Sequence, residues 1–120
     1  MDSPVVHFHV GAADPAAAGK FFEEVFNWKI GPGIPGVAAT IDTGYPEIND
    51  IRVAGGIIQL PEGAPPFISV FVRVADLDGA LQRAADRGAR IVVPRTDRPG
   101  SATIAIIQTP FGHTMGVVQL

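Results

Sequence analysis

Two pentapeptides in this chain say nearly the same thing. Residues 56–60 read GIIQL and residues 116–120 read GVVQL, sixty positions apart in a chain of 120. Each closes a half that opens with a strand pattern and continues into a helix pattern. A repeat of half the chain length marks a duplicated supersecondary unit, so internal symmetry is the first constraint on the fold. At 120 residues with 47% apolar side chains, the chain can bury one domain-sized core.

Residues 5–10 (VVHFHV) have strand composition. Alternation sets Val5, His7 and His9 on one face and Val6, Phe8 and Val10 on the other, which is expected to face helices. Asp14-Pro15 is a helix start, with the carboxylate capping free N–H groups and Pro suited to the first helical position. Ala18, Phe21, Phe22, Val25 and Phe26 recur at helical spacing as the expected buried stripe. Asn27 suits a left-handed helix end. Strands are expected at 28–30 and 37–42, loops at 31–36 (GPGIPG) and 43–50, and one or two strands within 51–60.

Residues 61–66 (PEGAPP) read as the linker to a second half of the same order. A strand at 67–74 presents Ser69, Phe71 and Arg73 on one face. Asp76 caps a helix with Leu77, Leu81, Ala84 and Ala85 as its stripe, ended by Gly88. Strands follow at 89–93, 103–108 and 113–119, with a charged loop at 96–101 and a TPFG turn at 109–112. His7 lies seven residues before Asp14, and Ser69 lies seven before Asp76, which makes them equivalent positions. The expected fold is α+β: one domain over 1–120, with modules at about 1–60 and 66–120. Trp28 is expected at the helix–sheet boundary, His113 on the surface of a hairpin tip, and Glu23 and Glu24 on a solvated face.

Several chemistries are excluded by what the chain carries. The net charge of −3 and the lack of a basic stripe argue against nucleic acid as a partner. With no cysteine there is no disulfide, thiolate site or Cys nucleophile. No apolar run reaches a membrane-spanning length, and the start lacks the basic residues of a signal peptide, so a cytoplasmic protein with no membrane partner is expected. Ser3, Ser69 and Ser101 sit in no nucleophile elbow, and GPGIPG has proline where a phosphate-cradling loop needs N–H donors.

The run VVHFHVGAADPAAAGKFFEEVFNWKI resembles the opening of the glyoxalase/bleomycin-resistance/dioxygenase superfamily, the vicinal oxygen chelate proteins. It departs from the usual phrase at Phe22 (commonly Tyr) and Asn27 (commonly Gly). VRVADLDGALQRAADRGARIVVP resembles the family's second strand and helix, and TPFGHTMGVVQL its closing hairpin, with Thr109 where Asp is usual. The resemblance covers essentially the whole chain. It implies two tandem βαβββ modules with pseudo-twofold symmetry, a curled mixed sheet forming an open cleft, and a homodimer.

Metal-dependent members carry up to four ligands on equivalent strands. Carried over, these positions fall on His7, Ser69, Gly56 and Gly116, of which His7 alone is a strong donor. His9 shares the face of His7 and could add a second nitrogen. Asp42 and Glu47 are candidate carboxylates only by elimination. No resident metal and no cofactor is therefore expected, and the two glycines are expected to leave open space. The resulting site would have His7 as the catalytic or anchoring group, with His9, Ser69, Phe71, Arg73, Thr114, Gly56 and Gly116 binding a small organic molecule.

Three functions stay open on this reading. One is ligand sequestration, as in the resistance members the chain resembles. Another is metal-free catalysis with a histidine base, since imidazole titrates near neutrality. The third is a metal-dependent lyase, isomerase or ring-cleaving dioxygenase with His7 as ligand. If the chain is an enzyme, the resemblance implies a lyase- or isomerase-like activity related to lactoylglutathione lyase.

Overall fold

The computed structural model describes residues 3–48, 51–98 and 102–120; the ends of the expected loops at 43–50 and 96–101 lie outside them. The fold is α+β, and the described residues form eight strands and two helices in the order βαβββ-βαβββ. Two compact units divide it, His7–Ser69 and Val70–Leu120, the latter joined by the residues up to Val6. The division falls within β1 (Val5–Ala12) and β5 (Phe67–Arg73).

In the first unit, β1 leads through Asp14 into α1 (Pro15–Phe26). The Asp14 carboxylate accepts from the Ala17 N–H at 3.1 Å, and Pro15 occupies the first helical position, where a missing N–H costs nothing. Asn27 ends the helix at φ 57°, its N–H donating to the Glu23 carbonyl at 3.1 Å. The remaining strands are β2 (Lys29–Gly31), β3 (Ala39–Asp42) and β4 (Ala54–Gln59), in spatial order β2-β3-β4-β1. β4 runs parallel to β1, pairing His9 with Gly56, while β2–β3 and β3–β4 are antiparallel.

Val10, Ile41 and Ile57 form this unit's core, joined by Phe8, Ala18, Phe22, Trp28 and Ile30. Phe8 and Val10 thus face α1, as alternation predicts. Val6 does not share their surroundings: it packs with Phe71, Ile104 and Val118, because α1 covers only the later part of β1. The expected helix stripe needs a larger correction. Ala18 and Phe22 pack inward and Gly19 is buried, but Phe21, Val25 and Phe26 are each more than half exposed. The strands beneath are three and four residues long, too short to cover the last turns of α1. Trp28 sits at the helix–sheet boundary as expected, its ring 5.3 Å from Phe22, 5.1 Å from Phe26 and 5.8 Å from Phe8.

The second unit repeats the plan with α2 (Leu77–Asp86), β6 (Arg90–Thr96), β7 (Thr103–Gln108) and β8 (Thr114–Gln119), in spatial order β5-β8-β7-β6. β5 and β8 are parallel, with Phe71 opposite Gly116, and the other pairs are antiparallel. The Asp76 carboxylate accepts from Gly79 N–H at 3.1 Å, and Gly88 at φ 92° supplies the backbone conformation after the helix. Leu77, Ala105 and Val117 pack with Ala80 and Leu81 of α2; Phe71, Ile104 and Val118 form a separate cluster. β6 is longer than the sequence predicts and continues through Pro94. Register shifts on either side of Val93 let proline stay within a strand that pairs on one side only. Among the described residues no helix is long and apolar enough to cross a membrane.

Candidate functional site

His7 and His9 project from β1 on the side opposite Phe8 and Val10. Their rings meet edge to face, with centroids 4.8 Å apart and planes at 80°. His7 is half-buried and His9 is only 7% exposed. Strand pairing puts Gly56 directly opposite His9. A Cβ at position 56 would lie 2.9 Å from Val37 Cγ1, 3.4 Å from His9 Cδ2 and 3.6 Å from His9 Nε2. The missing side chain therefore does not leave an open floor. Val37 and His9 close over Gly56 instead.

Gly116 tells the same story with a different partner. Phe71 lies directly opposite it, and a Cβ at 116 would collide with the Phe71 ring. The expectation of two vacant ligand positions is thus corrected at both sites: Val37, with the edge of His9 beside it, takes the space over Gly56, and the Phe71 ring takes it over Gly116. Phe71 is 3% exposed within an apolar cluster, a packed core residue.

The other predicted residues divide between the units. His7, His9, Gly56 and Ser69 belong to the first; Phe71, Arg73, Thr114 and Gly116 belong to the second. Ser69 and Arg73 are half-buried on β5, and Thr114 is exposed at the start of β8. His113 is exposed beside its hairpin, with Nδ1 3.1 Å from Thr109 Oγ1. That hydroxyl also accepts from the Phe111 and His113 N–H groups, at 3.3 and 3.1 Å, so Thr109 performs locally the turn-closing role its usual Asp would have.

Among the described residues no group of three or more His, Cys, Asp or Glu could hold an ion. Asp42 is committed elsewhere. Its carboxylate accepts from Gly44 N–H at 2.9 Å and from Arg52 at 3.0 Å, and these bonds hold its pKa below the ordinary 3.8.

Two features escaped the sequence. Val37, expected at the start of a strand, lies before β3 and is a buried residue over Gly56. A groove of about 740 Å³ also runs along α1, lined by Asp14, Gly19, Lys20, Glu23, Glu24 and Gln59 among others, and it includes none of the predicted site residues. Gly19, unusual within a helix, is the available signal: a Cβ there would crowd Ile30 Cγ2 at 3.2 Å.

Comparison with known proteins gives a consistent picture. The model of the Glyoxalase/Bleomycin resistance protein/Dioxygenase superfamily matches residues 5–117. CFP32 of Mycobacterium bovis, which carries a provisional glyoxylase name, is 26% identical over 110 residues, covering 88% of this chain and 41% of its own length. CFP32 of Mycobacterium tuberculosis matches equally. The chain thus spans about two-fifths of the curated relatives it matches. Among solved structures, methylmalonyl-CoA epimerase of Streptomyces coelicolor in complex with 2-nitronate-propionyl-CoA superposes with a TM-score of 0.77 at 14% identity, covering 99% of this chain and 95% of that one. A hypothetical protein of Bacillus halodurans gives 0.72 at 14%, covering 100% and 96%. At such identities these likenesses establish the fold.

Proposed function

Because the chain belongs to the Glyoxalase/Bleomycin resistance protein/Dioxygenase superfamily, we propose that its His7–His9 face binds a small organic molecule through a carbonyl or carboxylate oxygen. The observation that carries this reading is the imidazole pair itself: two rings 4.8 Å apart on the strand face turned away from the α1 core. A neutral imidazole offers one donor and one acceptor, and two set at 80° present them in different directions. Such a pair can orient an oxygen-bearing ligand without a metal.

Glycine opposite His9 supports the same reading. A carboxylate-bearing side chain there would add like charge against an acidic ligand, and glycine adds none. The test is a thermal-shift screen of carbonyl- and carboxylate-bearing compounds against the native chain, followed by titration of any hit against His7→Ala. Loss of one hydrogen bond should weaken binding by about 1–2 kcal/mol. Unchanged affinity for every hit would sink the reading.

Metal-free proton transfer by the same pair is the second reading. It is favoured by a buried histidine adjacent to a half-buried one, an arrangement suited to a positioned base. His7→Ala separates the two. A base leaves binding nearly intact and lowers turnover by roughly 10²–10⁴ when removed. A homodimer belongs to this proposal as well, since Phe21, Val25 and Phe26 leave apolar surface on α1. Sedimentation at tens of micromolar showing only monomer would remove that part.

A further inference from the structure

We infer that Val37 is a positioning residue for His9: the proline- and glycine-rich turn before it exists to wedge one branched side chain against the imidazole over Gly56. The backbone on both sides of Val37 is tightly fixed. Ile34 and Val37 exchange two hydrogen bonds, at 3.0 and 2.9 Å, across Pro35 and Gly36. Proline at the second position and glycine at φ 81° at the third are what a type II turn requires. The next residue, Ala38, donates to the Ile57 carbonyl at 2.9 Å and so ties the turn to β4. Gly33 packs under the exit, where an added Cβ would lie 2.6 Å from the Ala38 carbonyl oxygen and 2.7 Å from that of Val37. No residue with a side chain fits there.

All this order delivers a single side chain. Gly36 and Ala38 are exposed, yet Val37 between them is 7% exposed. A Cβ added at Gly56 would lie 2.9 Å from Val37 Cγ1 and 3.4 Å from His9 Cδ2, so the two side chains border the same methyl-sized space over the glycine. Valine suits the task because its β-branch restricts it to few rotamers, so the wedge does not swing away. With its Cδ2–Nε2 edge against that space, the ring is limited by Val37 in how far it can turn over Gly56, and this limit is how Val37 acts on the direction of the ring nitrogens. The loop that the sequence marks by its prolines and glycines is thereby a strut acting through His9. The inference rests on the His7–His9 face being the binding face, but its test needs no ligand.

The experiment is 15N–1H correlation spectroscopy of the imidazoles in the full chain. Val37→Ala removes the wedge and should shift and broaden the His9 ring cross-peaks, because the imidazole gains room to turn over Gly56. The His7 ring protons should move with it through the edge-to-face contact. Val37→Ile keeps the apolar β-branch and should leave the His9 peaks near their native positions. Val10→Ala, on the α1 side of the same strand, should lower stability without moving His9. Gly56→Ala should displace the ring, and adding Val37→Ala should return it toward native, because the vacated γ-methyl space takes the new methyl. If Val37→Ala moves His9 no more than Val10→Ala does, or the double variant is no closer to native than Gly56→Ala, the inference is overturned. A failed His7→Ala binding test would remove the proposed function and leave these spectra unaffected.

Discussion

The two units use one backbone plan and one glutamine in opposite ways. Gln59 and Gln119 are the fourth residues of the repeated pentapeptides. In the second unit the Gln119 side-chain oxygen accepts from the Leu77 N–H at 2.8 Å, satisfying a free donor in the first turn of α2. In the first unit the residue at the same helical position is Pro15, which has no N–H. Gln59 instead presents its amide nitrogen, donating to the Ala13 carbonyl at 2.8 Å and the Leu60 carbonyl at 3.1 Å. A change at one position has reversed the role of a side chain on another element. The repeated letters are therefore better evidence for shared backbone than for shared interactions.

The same holds where the units present their strand-paired glycines. His9 over Gly56 and Phe71 over Gly116 occupy matching register positions. In the first unit a valine and the edge of a polar ring border the space, and in the second an apolar ring fills it. That single difference makes the first unit a candidate binding face and the corresponding part of the second a piece of core.

Substitutions that treat the two units as equivalents should expose these differences. The largest effect is expected at Leu77, fully buried on α2: Leu77→Ala should cost about 2–5 kcal/mol in urea unfolding. Pro15→Ala, at the matching helical position, should cost far less. Gly116→Ala drives a methyl into the Phe71 ring and should cost about 1–3 kcal/mol, more than Gly56→Ala, where Val37 and the edge of His9 have somewhat more room to give. Equal losses at the two glycines would contradict the difference in packing. Gln119→Ala strips the partner from a helix N–H and should cost about 1–3 kcal/mol. Gln59→Ala, whose bonds lie nearer the surface, should cost less.

The caps should behave alike, and so provide the control. Asp14→Ala and Asp76→Ala each remove one carboxylate-to-N–H bond of 3.1 Å and should each cost about 0.5–2 kcal/mol. The smallest effect is a pH dependence at Asp42 of the first unit. The Asp42 pKa is lowered in the folded state by its bonds to Gly44 and Arg52. Its contribution is therefore present above the ordinary value of 3.8 and lost as pH falls through the lower folded value. Arg52→Ala should flatten the acid limb of the stability profile slightly, and an unchanged limb would remove Asp42 from the account.

Much of this was legible in the residues. Asp14, Asp76, Asn27 and Gly88 fixed helix ends because capping is local chemistry, decided within three or four residues of chain. The GIIQL/GVVQL repeat and the equal spacing of His7 and Ser69 from their caps identified matching positions, and the strand registers agree with that matching. Alternation separated His7 and His9 from Phe8 and Val10. The family was recognisable from the same runs.

The failures share one physical cause. Helical periodicity says which residues could face inward, but coverage depends on the length of what lies beneath. Phe21, Val25 and Phe26 stay exposed because β2 and β3 stop short. Glycine at 56 and 116 reads as space in a sequence, yet close packing leaves little space unclaimed, and which neighbour claims it depends on pairings between strands far apart in the chain. The sequence by itself determined the duplicated plan, the helix caps and the histidine face, since these rest on local geometry and period. Tertiary structure alone decided that Val37 closes over Gly56 and Phe71 over Gly116, because side-chain packing is set by non-local contacts that no spacing rule contains.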